Sequence, residues 1–324
     1  MKKFLIKVLI FLGSIVSILL LPILILRLMD DRISENLALP PNIDTIIIGD
    51  SHTQCALNDS LIPNSINISL DSESYYYSYP KLKKIIKNNA NIRYIIIGYA
   101  YHSLSAIYDS TIICPYATKR IKSCSEMMIN RYFLIFDNHL IQSMIKFPFV
   151  FLNCIFTSSK KSINLIYHFS KNDLKFHDFP FWGHYLKTNL CKLNDYRIQT
   201  AINRHFYLKS GQKIADFSEI QQDFLCKIIE FSKEKKKNLI LLNTPIHYRY
   251  YAKVPKQFSV YYYTTEQTHK NVTLIDDHKF SLPNNCWRDG DHLNYQGALL
   301  YSKYFANELN KMRCLYNAGS TSLD

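Results

Sequence analysis

The chain has 324 residues, 48% of them apolar and 20% charged, with a net charge of +13. That length and composition supply a core for one large α/β domain with an insertion, or for two small domains, and exclude a disordered chain. The eight cysteines form no Cys-x-x-Cys pair, so neither a zinc site nor a dithiol redox site is signalled; Cys114 with Cys124 is the most local disulfide candidate.

Residues 8–26 contain no charge and follow Lys2, Lys3 and Lys7, a stretch long enough to cross a bilayer as a helix that Pro22 only kinks. A cleaved signal peptide competes, but residues 21–27 offer no small-x-small cleavage site. The expectation is therefore an uncleaved anchor and linker over residues 1–34, with the lysines cytoplasmic and residues 35–324 outside. A buried core helix is the remaining alternative. Lys2, Lys3, Lys7 and Arg27 carry +4, leaving +9 on the remainder of the chain, which is drawn to anionic lipid or acidic glycans or simply displays lysines on a solvated face. Nucleic acid is not an expected partner outside the cytoplasm.

Beyond the anchor, the isoleucine-rich run 43–48 reads as a parallel strand buried on both faces. A weaker strand follows at 65–68, then a helix over 75–87 with its lysines outside, and a third strand at 92–97 ending in Gly98. Residues 219–235 place Ile220, Phe224, Ile228 and Phe231 at helical spacing. Strands are expected at 239–242 and 272–275, and Asn294 caps a last helix running to about residue 309. This alternation predicts a parallel sheet covered by helices. Ligands of such sheets sit beyond the carboxyl ends of the strands, where Ser51, residues 99–103, residues 244–247 and His292 all converge.

Between them, residues 104–215 fit no strand–helix repeat and are crowded with aromatics, which points to a functional insertion or cap. Its apolar run 147–156 is too short to span a bilayer. A helical cap over the site, a surface on the membrane, a partner-docking face and a small satellite core all fit it.

The chemistry-bearing residues lie at the two ends of the sheet pattern. Serine is a poor nucleophile unless an imidazole takes its proton and a carboxylate fixes that imidazole's tautomer. Ser51 ends the first strand in Gly49-Asp50-Ser51-His52, and Asp289-Gly290-Asp291-His292 supplies a carboxylate and an imidazole one turn apart. Position 53 is Thr, so a Gly-x-Ser-x-Gly elbow does not match. A divalent ion held by Asp50, Asp289, Asp291 and His292 is an alternative use of the same carboxylates.

These two motifs resemble the first and last blocks of the SGNH, or GDSL-like, hydrolase superfamily, over roughly residues 45–100 and 238–310. The resemblance implies a three-layer α/β/α sandwich with a parallel five-stranded sheet of flavodoxin-like order, here with an N-terminal transmembrane helix and an aromatic-rich helical insertion. It implies ester hydrolysis or acyl transfer without metal or organic cofactor, with Ser51 as nucleophile, His292 as base and Asp289 as its orienting acid. The substrate expected for an anchored member is an acylated glycan or another small acyl ester. Members draw oxyanion donors from a second-block glycine and a third-block asparagine. Here those blocks read Asn67-Ile68-Ser69-Leu70-Asp71-Ser72-Glu73-Ser74 and Gly98-Tyr99-Ala100-Tyr101-His102-Ser103, leaving the Ser72 amide and the His102 or Ser103 side chains as replacements. His52 and His247 are substrate-contact candidates by position; His52 also suits a turn-capping role. The departures leave open a non-catalytic scaffold of this fold that partners a membrane acyltransferase.

Overall fold

The computed structural model describes residues 1–109, 148–179, 181–189, 193–208, 213–268 and 272–320; Cys114, Cys124 and Phe147 lie outside them. By internal contact the chain forms two compact units. One comprises residues 40–79, 91–108 and 183–324, the other residues 1–39, 80–90 and 109–182. The stretch 104–215 is thus divided between the two.

The first unit is an α/β fold built on five parallel strands: β1 Thr45–Ile48, β2 Ser65–Asn67, β3 Tyr94–Gly98, β4 Asn238–Asn243 and β5 Thr273–Asp276. Their spatial order is β2-β1-β3-β4-β5, the flavodoxin-like arrangement. Isoleucine explains the centre. Ile46, Ile47 and Ile48 pair in register with Ile95, Ile96 and Ile97, and Ile96 and Ile97 pair in turn with Ile240 and Leu241. Stiff β-branched side chains suit a pleated surface buried on both faces, and each of these residues is inaccessible to solvent. The second strand stops at Asn67, one residue early. Ile68 still bonds the Ile47 carbonyl, but Leu70 then bonds the Gly49 carbonyl and carries the chain over the end of β1.

Among the described residues the helices of six or more residues, α1 to α8, are Lys2–Leu28, Ser51–Ala56, Tyr75–Asn88, Pro148–Ser170, Asp195–Phe206, Glu219–Glu234, Lys256–Thr268 and Tyr295–Ser320, of which α2, α5, α6, α7 and α8 lie wholly within the sheet unit. Local signals start several of them. The Ser218 hydroxyl accepts a hydrogen bond from the Gln221 amide at the head of α6, and Asn294 Oδ1 accepts from the Gln296 and Gly297 amides at the head of α8. α8 continues past residue 309, where the sequence pattern ends. Arg313 ties that extension to β1 through Asp44 at 2.6 Å and Thr45 at 2.8 Å. Tyr301, Phe305 and Leu309 of α8 pack with Ile47, Ile96, Ile240, Trp287 and Leu293, each such side chain contributing about 1.5–3 kcal/mol by burial.

Two glycines allow the carboxyl ends of β1 and β3 to meet. A methyl group on Gly49 would lie 3.1 Å from the Gly98 Cα and 2.6 Å from Thr53 Oγ1, and one on Gly98 would lie 2.9 Å from Thr53 Cγ2. Gly98→Ala is expected to destabilise by about 1–3 kcal/mol through overpacking. Adding Thr53→Ser, which removes the crowding methyl and retains the hydroxyl bonded to Ser69 at 2.9 Å, should recover part of that loss. Equal unfolding midpoints for the single and double variants would contradict this account.

In the second unit α1 runs through Pro22, and the most apolar 18-residue stretch within residues 2–26 has mean hydropathy 2.9, with none of it buried. Its 27 residues extend about 40 Å, more than the ~30 Å of a bilayer core. α1 is long and apolar enough to span a membrane. At its end Leu26 joins Ile33, Leu37, Leu165, Leu174, Phe179 and Phe181 in a separate small core. The apolar run beginning at residue 147 enters α4.

Candidate active site

β1 delivers Gly49 and Asp50 to the carboxyl edge of the sheet, and Asp50 caps α2 by accepting from the His52 amide at 2.9 Å. Ser51 therefore occupies the first position of a helix, partly open to solvent. Its partner arrives from residues 286–294, a loop closed by the Trp287–Leu293 bridge and by Asn294, whose side-chain amide donates to the Asn285 and Trp287 carbonyls. The Arg288 amide donates to the His292 carbonyl at 3.0 Å, which fixes the histidine backbone.

Ser51 Oγ lies 2.7 Å from His292 Nε2, and His292 Nδ1 lies 2.8 Å from Asp289 Oδ1. The same Asp289 oxygen accepts from the backbone amides of His292 and Asp291, at 2.9 and 3.2 Å. The carboxylate is held by its own loop before it touches the imidazole. His292 is buried and Ser51 and Asp289 are half-buried, so a solvent-borne acyl group can reach the hydroxyl while the base stays shielded. Chemically the arrangement can pass a proton from hydroxyl to imidazole with the resulting charge next to a carboxylate.

Behind this row lies a second one, buried except at Tyr108 and Arg204. Asp50 Oδ1 faces His52 Nδ1 at 3.0 Å; its other oxygen accepts from the Tyr108 hydroxyl at 2.7 Å and faces His102 Nε2 at 3.3 Å. Asp291 Oδ2 lies 3.2 Å from His52 Nε2, 3.4 Å from Arg204 and 3.5 Å from His205 Nδ1, which also meets the Tyr250 hydroxyl at 2.7 Å. The His52–Asp291 contact is a charge contact whose geometry falls short of an aligned hydrogen bond.

The charges of this buried row balance. Burial works against a charged His52, but Asp50 and Asp291 outweigh it and push the ring up to about 10. Burial likewise works against ionised Asp50 and Asp291, yet the imidazoles around them hold both well below the usual carboxylate range. His102 is pushed down to about 4 by burial and by charged His52, and burial with His102 depresses His205 too. Two carboxylates thus face one imidazolium and Arg204, with two neutral imidazoles filling the gap.

This division of charge predicts a dome of stability against pH. His52, raised in the fold, contributes fully below its unfolded value near 6.5, and that contribution is lost as pH climbs through about 10. His102 and His205, depressed in the fold, contribute fully above about 6.5 and lose that contribution as pH falls, toward about 4 for His102. Asp50 and Asp291 add a further loss below their unfolded range near 4. Unfolding midpoints should peak near pH 6.5 and fall on both sides. A flat profile between pH 6.5 and 10 would remove the imidazolium from His52.

The three imidazoles His52, His102 and His205 bring nitrogen atoms within 4.8 Å of one another, as do His52, Asp291 and His292 for their ligand atoms. His102 and His205 are stacked face to face, centroids 4.1 Å apart and planes at 12°. Their nitrogen lone pairs lie in the ring planes and run nearly parallel, so they do not converge on one ion. Arg204 beside Asp291 further disfavours a cation there. These groupings also differ from the sequence-derived ion set, since neither contains Asp50 or Asp289.

The sequence candidates separate clearly. Ser51, His292 and Asp289 meet. His52 sits between two carboxylates, whereas the turn it was expected to cap is capped by Asp50. His102 turns Nε2 to Asp50, and the Ser103 hydroxyl accepts from the Ala100 amide at 2.9 Å, closing its own turn; neither atom bonds Ser51. His247 is buried, accepts from the Arg249 amide at 3.2 Å as a helix cap, and packs against Trp287; burial depresses its pKa. Ser72 adopts φ 59°, in the left-handed region, and its hydroxyl turns to Asp71. Such a turn replaces the expected glycine in backbone shape.

Sequence reasoning missed Tyr108, Arg204, His205 and Tyr250. The signal for His205 was present in α5, where Ile198, Ala201, Ile202, His205 and Phe206 form one buried stripe. An ionisable residue on such a stripe needs a partner.

A profile of an uncharacterised family matches residues 193–313, from the approach to α5 through the Asp289–His292 segment and most of α8; Ser51 lies outside it. No curated protein matches the chain.

Proposed function

We propose that the chain is a membrane-anchored serine esterase or acyltransferase of SGNH type, acting outside the cytoplasm on O-acyl groups, acetyl foremost, of a surface polysaccharide or other glycan. The observation that carries this reading is the unbroken relay from Ser51 Oγ through His292 to Asp289, at 2.7 and 2.8 Å. Its place at the carboxyl edge of a 2-1-3-4-5 parallel sheet, where such folds bind ligands, supports it.

In the first half-reaction Ser51 Oγ bonds to the acyl carbon as its proton passes to His292 Nε2, and the carbonyl oxygen becomes an oxyanion. The Ser51 amide, with the backbone of the Ser72 turn, is the candidate donor set for that oxyanion. Collapse breaks the ester bond, and His292 returns the proton to the departing sugar hydroxyl. Water or a second hydroxyl then attacks the acyl-serine by the reverse sequence, giving hydrolysis or transfer. Asp289 keeps the imidazole in the tautomer that accepts from Ser51.

The anchor gives the substrate its location. With Lys2, Lys3 and Lys7 retained in the cytoplasm, the catalytic unit faces the outer surface, where acylated glycans are assembled. Protease added to intact spheroplasts should digest that unit and spare it in inverted vesicles; the reverse result would sink the orientation.

A second reading, a non-catalytic scaffold that partners a membrane acyltransferase, is favoured by one observation. The third segment lacks an asparagine, and His102 and Ser103 are engaged away from Ser51. Full-length protein in detergent, treated with a fluorophosphonate and digested for mass spectrometry, separates the two. Label on the peptide containing Ser51, with turnover of p-nitrophenyl acetate, supports the enzyme; an unlabelled serine leaves the scaffold.

A further inference from the structure

The Ser51–His292 contact has a neighbour that repeats it one residue out on each side. His52 follows the nucleophile and Asp291 precedes the base, and their side chains meet at 3.2 Å beside the 2.7 Å catalytic contact. The His52 and His292 rings stack, with centroids 4.5 Å apart and planes at 26°. Asp50 braces His52 from behind, and Arg204 and His205 brace Asp291. We propose that His52 and Asp291 form a buried clamp that holds the nucleophile's turn and the base's loop at reaction distance, which makes both of them positioning residues. The inference rests on the reading of Ser51 as nucleophile and extends it.

The energetic argument starts from Asp291. Its side chain is fully buried, and an unpaired carboxylate there would cost several kcal/mol. Arg204 is 41% exposed and 3.4 Å away, so solvent weakens its share. His52, 3% exposed, is the partner that burial leaves strong. The Ser51–His292 hydrogen bond alone is a weak restraint in net terms, too little to fix segments 241 residues apart within the tolerance that proton transfer requires. A buried charge contact on the adjacent residues supplies that restraint.

The clamp also sets the charge felt by His292. The groups facing His52 are Asp50 and Asp291, with the rings of His102, His205 and His292 at 4.4, 5.6 and 4.5 Å. Arg204 adds a positive charge at Asp291, while the Tyr108 and Tyr250 hydroxyls stay neutral. The unpartnered Asp291 Oδ1, 3.6 Å from His292 Nδ1, favours the imidazolium that forms during reaction; charged His52, stacked on the same ring, opposes it. Removing the two members therefore displaces the pH–rate profile in opposite directions. His52→Gln should move its acid limb to higher pH, and Asp291→Asn should move it to lower pH.

The test uses full-length protein in detergent with p-nitrophenyl acetate and fluorophosphonate labelling. Each single variant is expected to lower kcat roughly 10–100-fold, with KM moved less than about threefold, because misplacement affects the transition state more than binding. The double variant should be no worse than about the poorer single. Asp291→Glu, which keeps the charge, should retain the wild-type acid limb. Additive losses with an unmoved limb would overturn the clamp while the serine reading stands. Should His52→Gln fail to fold, the Asp291→Asn and Asp291→Glu pair decides by the limb alone. If the wild type neither labels nor turns over, the serine reading fails on its own. The clamp is then judged by the double-mutant cycle in unfolding midpoints, where coupling supports it and additivity overturns it.

Discussion

Ser51→Ala is expected to abolish fluorophosphonate labelling and to lower ester turnover by about three orders of magnitude or more, with His292→Ala losing as much. Removing Ser51 Oγ leaves no atom to bond the acyl carbon. Removing His292 leaves that oxygen with its proton and no acceptor at 2.7 Å. Because the two act as one unit, the double variant should be no slower than either single, and this non-additivity is the sharper test. Asp289→Asn should also slow the reaction, since an amide can hold His292 Nδ1 in the wrong tautomer. Its effect on folding is limited by the two backbone amides that the same oxygen accepts, an interaction an asparagine carbonyl can reproduce. The enzyme reading would not survive additive losses at Ser51 and His292, or labelling that persists in Ser51→Ala.

Much of this was readable from the chain because the physics involved is local. Continuous isoleucine runs of strand length, each followed by a turn, specify buried parallel strands wherever they fall, so the sheet and the residues at its carboxyl edge followed from pattern alone. Ser51 and His292 were legible for the same reason: one ends the first run, the other precedes a capped helix. The partners of Asp50 and Asp291 were not legible. Apart from the histidines of the sheet edge they are Tyr108, Arg204 and His205, the last held by Tyr250, in segments with no strand period, and their register against the sheet is set by tertiary packing. The length of α8 was hidden similarly, since its extension past residue 309 is held by Arg313 reaching Asp44 together with a single apolar contact from Met312. The local role of His247 was hidden as well, because a histidine after a strand end shows only its address. Only the Arg249 amide and the Trp287 ring against it reveal a cap.

Asp50→Ala should be among the most damaging substitutions in the sheet unit, although Asp50 touches neither Ser51 Oγ nor His292. Its carboxylate accepts from the His52 amide and the Tyr108 hydroxyl and faces ring nitrogens of His52 and His102. Truncation leaves the cap of α2 empty, at about 1 kcal/mol, and leaves the Tyr108 hydroxyl buried with its acceptor gone. The larger consequence is electrostatic. With Asp50 absent, the imidazolium of His52 keeps Asp291 alone and must share it with Arg204, so a buried positive charge is left uncompensated. Breaking one partner of a buried pair typically costs about 3–5 kcal/mol, which for a unit of this size lowers the unfolding midpoint on the order of 10 °C. The protein can reduce that cost by releasing the His52 proton, so the deficit should be greatest in acid and shrink toward alkaline pH. Asp50→Asn, which keeps an acceptor for the cap but not the charge, should recover about 1 kcal/mol and show the same pH trend. A midpoint within about 2 °C of wild type at pH 6 for Asp50→Ala would mean that Asp50 faces no imidazolium at His52 there, and the clamp built on that charge would lose its basis.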